Sequence, residues 1–219
     1  SATMPKLMSE LSDTYLTNPV KVAVNPPGQA AKKIEQGVHF VSQGDKATLL
    51  AEYMSKHTNE PAMVFGRTKH GCEKLAKLLE KWGFAVAAIH GNKSQGQRER
   101  ALEAFRKGET KVLVATDVAA RGLDIPEVAH VYNYDLPNVP ENYVHRIGRT
   151  GRAGRSGQAL LFVTPRERRM LQVIERVTNQ KVAEARLPNA QQVLDARIKK
   201  LTNSLAPLVA DAEATHGEL

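Results

Sequence analysis

A single cysteine, Cys72, stands among 219 residues. No internal disulfide is available, so an apolar core must hold the fold, and the thiol suits a reducing compartment and a place in helix packing. No apolar run approaches the roughly 20 residues that span a bilayer. No basic-then-apolar leader opens the chain. A cytoplasmic location without a membrane partner is therefore expected. The sequence also lacks a G-x-x-x-x-G-K-[ST] phosphate loop, an H-E-x-x-H pair and any Cys-x-x-Cys. Its seven histidines have no ligand spacing, so no metal site is expected. A dinucleotide fingerprint is rejected as well, because no G-x-G-x-x-G follows a strand.

What is present is basic. A net charge of +8 and an isoelectric point near 9.6 favour a polyanionic partner. With 42% hydrophobic and 25% charged residues the composition is globular. The length suffices for one buried core and an appendage, or for two small units.

From Ile34 onward, short apolar runs alternate with amphipathic segments. Strands are expected at 34–41, 61–66, 84–90, 111–116, 130–135 and 158–163. One helix carries Leu75, Leu78, Leu79 and Trp82 and closes at Gly83. Another opens at the N-cap Ser94, carries Ala101, Leu102 and Phe105, and stops at Gly108. Runs such as VLVAT and ALLFV are apolar almost throughout, as strands covered on both faces are. The expected fold class is α/β, a doubly wound parallel sheet whose ligands sit beyond the strand carboxyl ends. Outside the alternation lie a helix over Met4–Leu16, a short strand at 20–24, a Pro/Gly/Lys linker at 25–33 and a helix from about Asn189.

The polar segments cluster where strands end. VATDVAARGLD (114–124) holds Thr116, Asp117, Arg121, Gly122 and Asp124. Gly122 permits close backbone approach, and Arg121 offers a forked pair of donors to phosphate. HGNKSQGQRER (90–100) leaves a strand and opens a helix whose free amides and Arg98 favour an anion. FGRTKHG (65–71) repeats the arrangement with Thr68. Each alone is also what a capped βα turn looks like. HRIGRTGRAGRSG (145–157) then sets Arg146, Arg149, Arg152 and Arg155 at a period of three. Three basic turns and this ladder in one α/β domain favour a shared polyanion groove.

These segments closely resemble motifs of the DEAD-box RNA helicases. VATDVAARGLD and HRIGRTGR are similar to motifs V and VI, and FGRTKHG to motif IV. Gln95 and Arg98 fit the Gln-x-x-Arg element, and Ser1-Ala2-Thr3 resembles motif III. HGNKSQGQRERALEAFRKG and LPNVPENYVHRIGRTGRAG are similar to the bacterial RhlE-type branch, whereas LPNAQQV loosely resembles the post-core start of the DeaD-type branch. The order is right over about residues 1–165, and motif VI in this form is highly specific.

The resemblance implies a RecA-like helicase C-terminal domain over 34–178. Residues 1–24 would be a remnant of a first RecA-like domain, and 179–219 an extension. It implies ATP with Mg2+, held mainly by that first domain, which would carry the Walker-type and DEAD motifs. Arg149 and Arg152 would be catalytic arginine fingers on the γ-phosphate, and Asp124 and Gly122 would stand at the nucleotide. Thr68, Gly91, Gln95, Arg98, Thr116 and Arg121 would follow the RNA backbone. His145 would meet the first domain near Ser1 and Thr3. The chain would then be half of an RNA-stimulated ATPase, binding RNA weakly and inactive by itself. A non-catalytic RNA-binding or regulatory module of the same fold is the alternative. Arg155 is left open between a phosphate contact and a solvated charge. Self-association through residues 179–219 or the exposed N-terminal helix is also left open.

Overall fold

The computed structural model describes residues 6–20, 34–151 and 155–185. Residues 21–24 of the expected short strand, the linker, the helix from Asn189, and Ser1, Thr3 and Arg152 lie outside the described residues. The chain divides into two compact units at Ala185/Arg186, and the first contains every described element.

Seven parallel strands make one sheet in the order β3-β4-β2-β5-β6-β1-β7. They are β1 (Ile34–Phe40), β2 (Ala62–Phe65), β3 (Val86–Ile89), β4 (Val112–Ala115), β5 (His130–Asn133), β6 (Gly157–Val163) and β7 (Ala183–Glu184). The first six coincide with the apolar runs. β7 pairs with β1 at Gly37↔Ala183, so the sheet draws on residues beyond the expected boundary at 178.

The helices between strands are α2 (Lys46–Lys56), α3 (Lys69–Lys81), α4 (Gln95–Arg106), the single turn α5 (Asp117–Ala120) and α6 (Asn142–Ile147), with α7 (Arg168–Thr178) after β6. The crossovers through α2 and α3 step one way along the sheet, and those through α4 to α6 step the other. With one handedness for all crossovers, opposite steps put helices on opposite faces, which is the doubly wound arrangement. Side chains alternate accordingly. Met63, Phe65, Leu113, Val131 and Leu161 pack with Leu102, Phe105, Ile147 and Leu171 in one layer. Val64, Val114, Tyr132 and Phe162 are the alternate buried positions, and Tyr53 of α2 meets Tyr132 and Phe162 there.

Local chemistry sets the boundaries. Ser94 accepts from the Gln97 amide while Gln97 reaches back to the Ser94 amide, a reciprocal capping box at the start of α4. Cys72 is fully buried in α3, and burial pushes its thiol up to about 12, which makes it a packing group. Trp82, expected on the buried face of α3, is the residue just past its end and stays 45% exposed. α1 (Lys6–Tyr15) leaves Leu7, Leu11 and Tyr15 exposed. Among the described residues no helix is long and apolar enough to cross a membrane.

Candidate nucleic-acid and nucleotide interface

Because every strand is parallel, all carboxyl ends lie on one edge of the sheet. Along that edge the loops after β3, β4, β2 and β5 stand side by side. The three basic turns and the start of the ladder thus become neighbours, although the sequence separates them.

Each expected RNA residue among them follows a strand end. Thr68 is the N-cap of α3, its Oγ1 accepting from the Gly71 amide at 3.0 Å. That bond leaves its own hydroxyl proton to donate. Gly91 is exposed, and a Cβ there would meet nothing within 4 Å, so another molecule has room to approach. Gln95 donates to Glu99 at 2.9 Å, which orients it along α4. Arg98 is half-buried, and its Nε is a buried donor without a hydrogen-bond partner. Thr116 is the N-cap of α5 but makes no side-chain cap bond. Arg121, exposed, donates to Asn142 Oδ1 at 3.1 Å.

The loop carrying Gly91 is pinned from below. Glu73 of α3 meets Lys93 Nζ at 2.9 Å and His90 Nε2 at 2.8 Å. Lys93 first, then His90, holds its carboxyl down at about 2.

The arginine ladder separates by function. Arg146 is 1% exposed and spends its donors inward. Its Nε and Nη2 fork onto the two oxygens of Asp117 at 2.6 and 2.8 Å. Its Nη1 donates to Asn133 Oδ1 and to the Asp135 carbonyl, and the guanidinium lies 5.0 Å from the Phe65 ring centre. The anion that Arg146 meets is therefore inside the domain. Arg149, half-buried, donates to the carbonyls of Leu123 and Ala120 at 3.2 and 3.1 Å, which sets it against the loop that carries Gly122. Gly122 has φ +75°, where a side chain would be strained. Arg155, 78% exposed, pairs loosely with Glu127 at 3.6 Å. The ladder's glycines also have a local reason: a methyl at Gly157 would strike Thr150 Oγ1 and the Gly151 amide.

Arg121, His145 and Arg149 share a small cleft of about 60 Å³ floored by Phe65, Asp117 and Arg146. Burial lowers the His145 pKa, and the cationic Arg121 and Arg149 lower it further, so the imidazole is neutral at pH 7. Asp124 projects outward with its carboxylate 98% exposed, touched only loosely by Arg106 at 3.4 Å.

Sequence reasoning missed a buried ion network at this edge. Lys46, fully buried, donates to the Tyr134 carbonyl at 2.8 Å and to Glu167 at 3.0 Å, with Asp135 at 3.7 Å. Arg67 meets the other Glu167 oxygen at 2.6 Å. Burial alone would raise the Glu167 pKa, but the Thr164 amide and Lys46 bring it below the ordinary value. The network ties together the loops after β1, β2, β5 and β6. Its only sequence signal was the Thr164-x-x-Glu167 capping box.

This fold, with cations ranged along one carboxyl edge, is that of a RecA-like helicase C-terminal domain. The helicase conserved C-terminal domain model matches residues 45–154, from the residue before α2 into the ladder. Mycobacterium tuberculosis ATP-dependent RNA helicase DeaD is 45% identical over 205 residues, covering 94% of this chain and 36% of that protein. The E. coli DEAD-box protein SrmB, solved bound to regulator of ribonuclease activity A, superposes with a TM-score of 0.66 at 34% identity. That match covers 73% of this chain and 99% of the solved one. S. cerevisiae Dbp5 bound to RNA and ADP BeF3 gives a TM-score of 0.79 at 30% identity, over 91% of this chain and 53% of that one. The chain belongs to the DEAD-box RNA helicases, as their C-terminal domain. It spans well under half the length of the curated relatives it matches. A DeaD relative does not single out the RhlE-like branch suggested by the sequence.

Proposed function

We propose that this chain is the C-terminal half of an ATP-dependent RNA helicase, supplying one wall of an RNA groove and the trans side of an ATP site. The observation that carries the reading is the single edge on which the β2, β3 and β4 loops adjoin the cleft of Arg121, His145 and Arg149. Thr68, Gly91, Gln95, Arg98, Thr116 and Arg121 follow the RNA backbone, which implies sequence-tolerant binding. The solved Dbp5 complex with RNA and a nucleotide analogue supports that class of partner.

Arg149 and Arg152 act as arginine fingers, with Asp124 and Gly122 at the nucleotide and His145 facing the first domain beside Ser1 and Thr3. Arg149 rests on two neutral carbonyl oxygens. A phosphate is the stronger acceptor for a guanidinium, so the arm can exchange them when the first domain presents ATP. Mg2+ belongs to that first domain. At this edge Asp117 is committed to Arg146, and the exposed Asp124 carboxylate is paired with Arg106 at 3.4 Å. Hydrolysis therefore depends on domain closure, and closure on RNA bridging both domains.

In a protein containing both domains, Arg149→Ala and Arg152→Ala are each expected to lower kcat for RNA-stimulated ATP hydrolysis by about 10³-fold or more. Arg149→Lys should not rescue, because an ammonium cannot fork onto two oxygens. RNA affinity of this domain should change less than about twofold, since neither residue is assigned a phosphate of the RNA. Near wild-type turnover in Arg149→Ala would refute the finger assignment. RNA-stimulated hydrolysis by this chain alone would refute the division of labour.

A further inference from the structure

The amino-terminal edge of the sheet, opposite the motif loops, gathers three side chains that the helicase reading leaves unused. His57 follows the last residue of α2, Glu60 stands in the turn into β2, and His130 opens β5. β2 and β5 are adjacent and paired at Ala62↔His130, so the sheet itself brings the turn and the strand start together. The turn is closed by a hydrogen bond from the Glu60 amide to the His57 carbonyl at 3.0 Å. Glu60 Oε2 lies 2.7 Å from His130 Nε2 and 3.8 Å from His57 Nδ1. The three donor atoms all fall within 4.8 Å of one another.

Hydrogen bonding around the cluster is incomplete in an informative way. His130 Nδ1 faces Gln158 Oε1 at 3.2 Å, and that oxygen only accepts. A proton on Nδ1 satisfies that contact, and Nε2 on the other side of the ring then faces the Glu60 carboxylate. Two acceptors at 2.7 Å require a cation at that point, either a second proton or a metal ion. His57 Nδ1 is buried without a hydrogen-bond partner, and so is Tyr132 Oη. With Glu60 and His130 these two residues line a cleft of about 220 Å³. Unpartnered buried polar atoms are uncommon, and here two of them border one cleft.

We propose that His57, Glu60 and His130 bind a Zn2+ ion whose fourth position opens into this cleft. Two imidazoles and a carboxylate are an established donor set for zinc with one position left to water. Tetrahedral bonds of about 2.0–2.1 Å set donors about 3.4 Å apart. The two distances at Glu60 bracket that value, and the third pair of donors lies within 4.8 Å. Gln158 serves as the outer partner that fixes the His130 ring and its tautomer. Sequence spacing conceals the site, because His130 lies 70 positions beyond Glu60. The ion sits at the edge opposite the nucleotide side, so its role is to clamp the α2–β2 turn to β5.

The test uses the full 219-residue chain, stripped with EDTA and titrated with ZnCl2 by calorimetry, and with CoCl2 by visible absorption. The expected result is one equivalent of Zn2+ and tetrahedral cobalt bands. His57→Gln and Glu60→Gln, both at partly exposed positions, should each weaken binding about tenfold or more. His70→Gln and His216→Gln should leave it unchanged. Thermal melts of each variant without metal verify folding, and Zn2+ should raise the Tm of the unaltered chain but not of the two ligand variants. Absence of saturable binding overturns the proposal, as does affinity that both ligand substitutions leave unchanged or that disappears with His70→Gln or His216→Gln.

Discussion

Arg146 and Arg149 stand three residues apart with the same side chain, yet one is sunk beneath the sheet edge and the other lines a cleft above it. The difference is Asp117, 29 positions earlier, which takes the fork of Arg146. By periodicity alone the four arginines of the ladder are equivalent, because a repeat carries no information about a partner on another loop. The same limit hid Lys46, whose ammonium donates to the Tyr134 carbonyl and to the Glu167 carboxylate, 88 and 121 positions away. Motif order alone named Thr68, Arg98 and Arg121 as candidates, and the fold sets all three after strand carboxyl ends. The site was illegible where burial assigns roles. The Arg146 pair is structural, so its loss should appear in stability. Removing one partner from a buried, hydrogen-bonded ion pair leaves an uncompensated charge and costs about 3–5 kcal/mol. Arg146→Ala is expected to lower unfolding stability by about that amount in urea at constant m-value. A loss below about 1 kcal/mol would mean that the guanidinium is not bound as described.

Strands were readable because both faces of this sheet are covered, and a run such as VLVA is buried at all four positions. Helices with less contrast were not. α2 buries Leu50, Tyr53 and Met54, but its N-cap Asp45 makes no side-chain cap bond, which removes the usual opening signal. β7 is two exposed residues, and its pairing with β1 is a tertiary fact without local signature. At this scale the β3–α4 loop offers a measurable prediction. Glu73 anchors it through Lys93 and His90, and its carboxyl is depressed to about 2. A depressed carboxylate stabilises the fold fully above its ordinary value of 4.5, and that contribution disappears as pH falls toward 2. Carboxyl-detected NMR should give a Glu73 midpoint near 2, and Lys93→Met should move it upward because Lys93 is the largest cause of the depression. A wild-type midpoint at the ordinary value would mean that the loop is not anchored through Glu73.

Over the whole molecule, parallel topology gives the domain two unlike edges. The carboxyl edge gathers the loops that hold Thr68, Arg98 and Arg121, and the amino edge gathers His57, Glu60 and His130. The net charge of +8 therefore has a direction only through the fold, and composition alone could not supply it. If the carboxyl edge holds an RNA backbone, affinity for a single strand should fall with salt, with a log–log slope of about −0.7 per phosphate neutralised. Arg98 and Arg121 are the two arginines assigned to that backbone. Arg98→Gln and Arg121→Gln should each make the slope shallower by about 0.7. Each should also weaken binding to oligo-U and oligo-A by the same factor, since a phosphate contact does not read bases. Arg149→Ala should leave the slope unchanged, which separates the RNA side of the edge from its nucleotide side. Fluorescence anisotropy over a range of KCl concentrations measures all three. A slope that both Arg98→Gln and Arg121→Gln leave intact would place the RNA on another surface of the chain, and one made shallower by Arg149→Ala would merge the two sides into one.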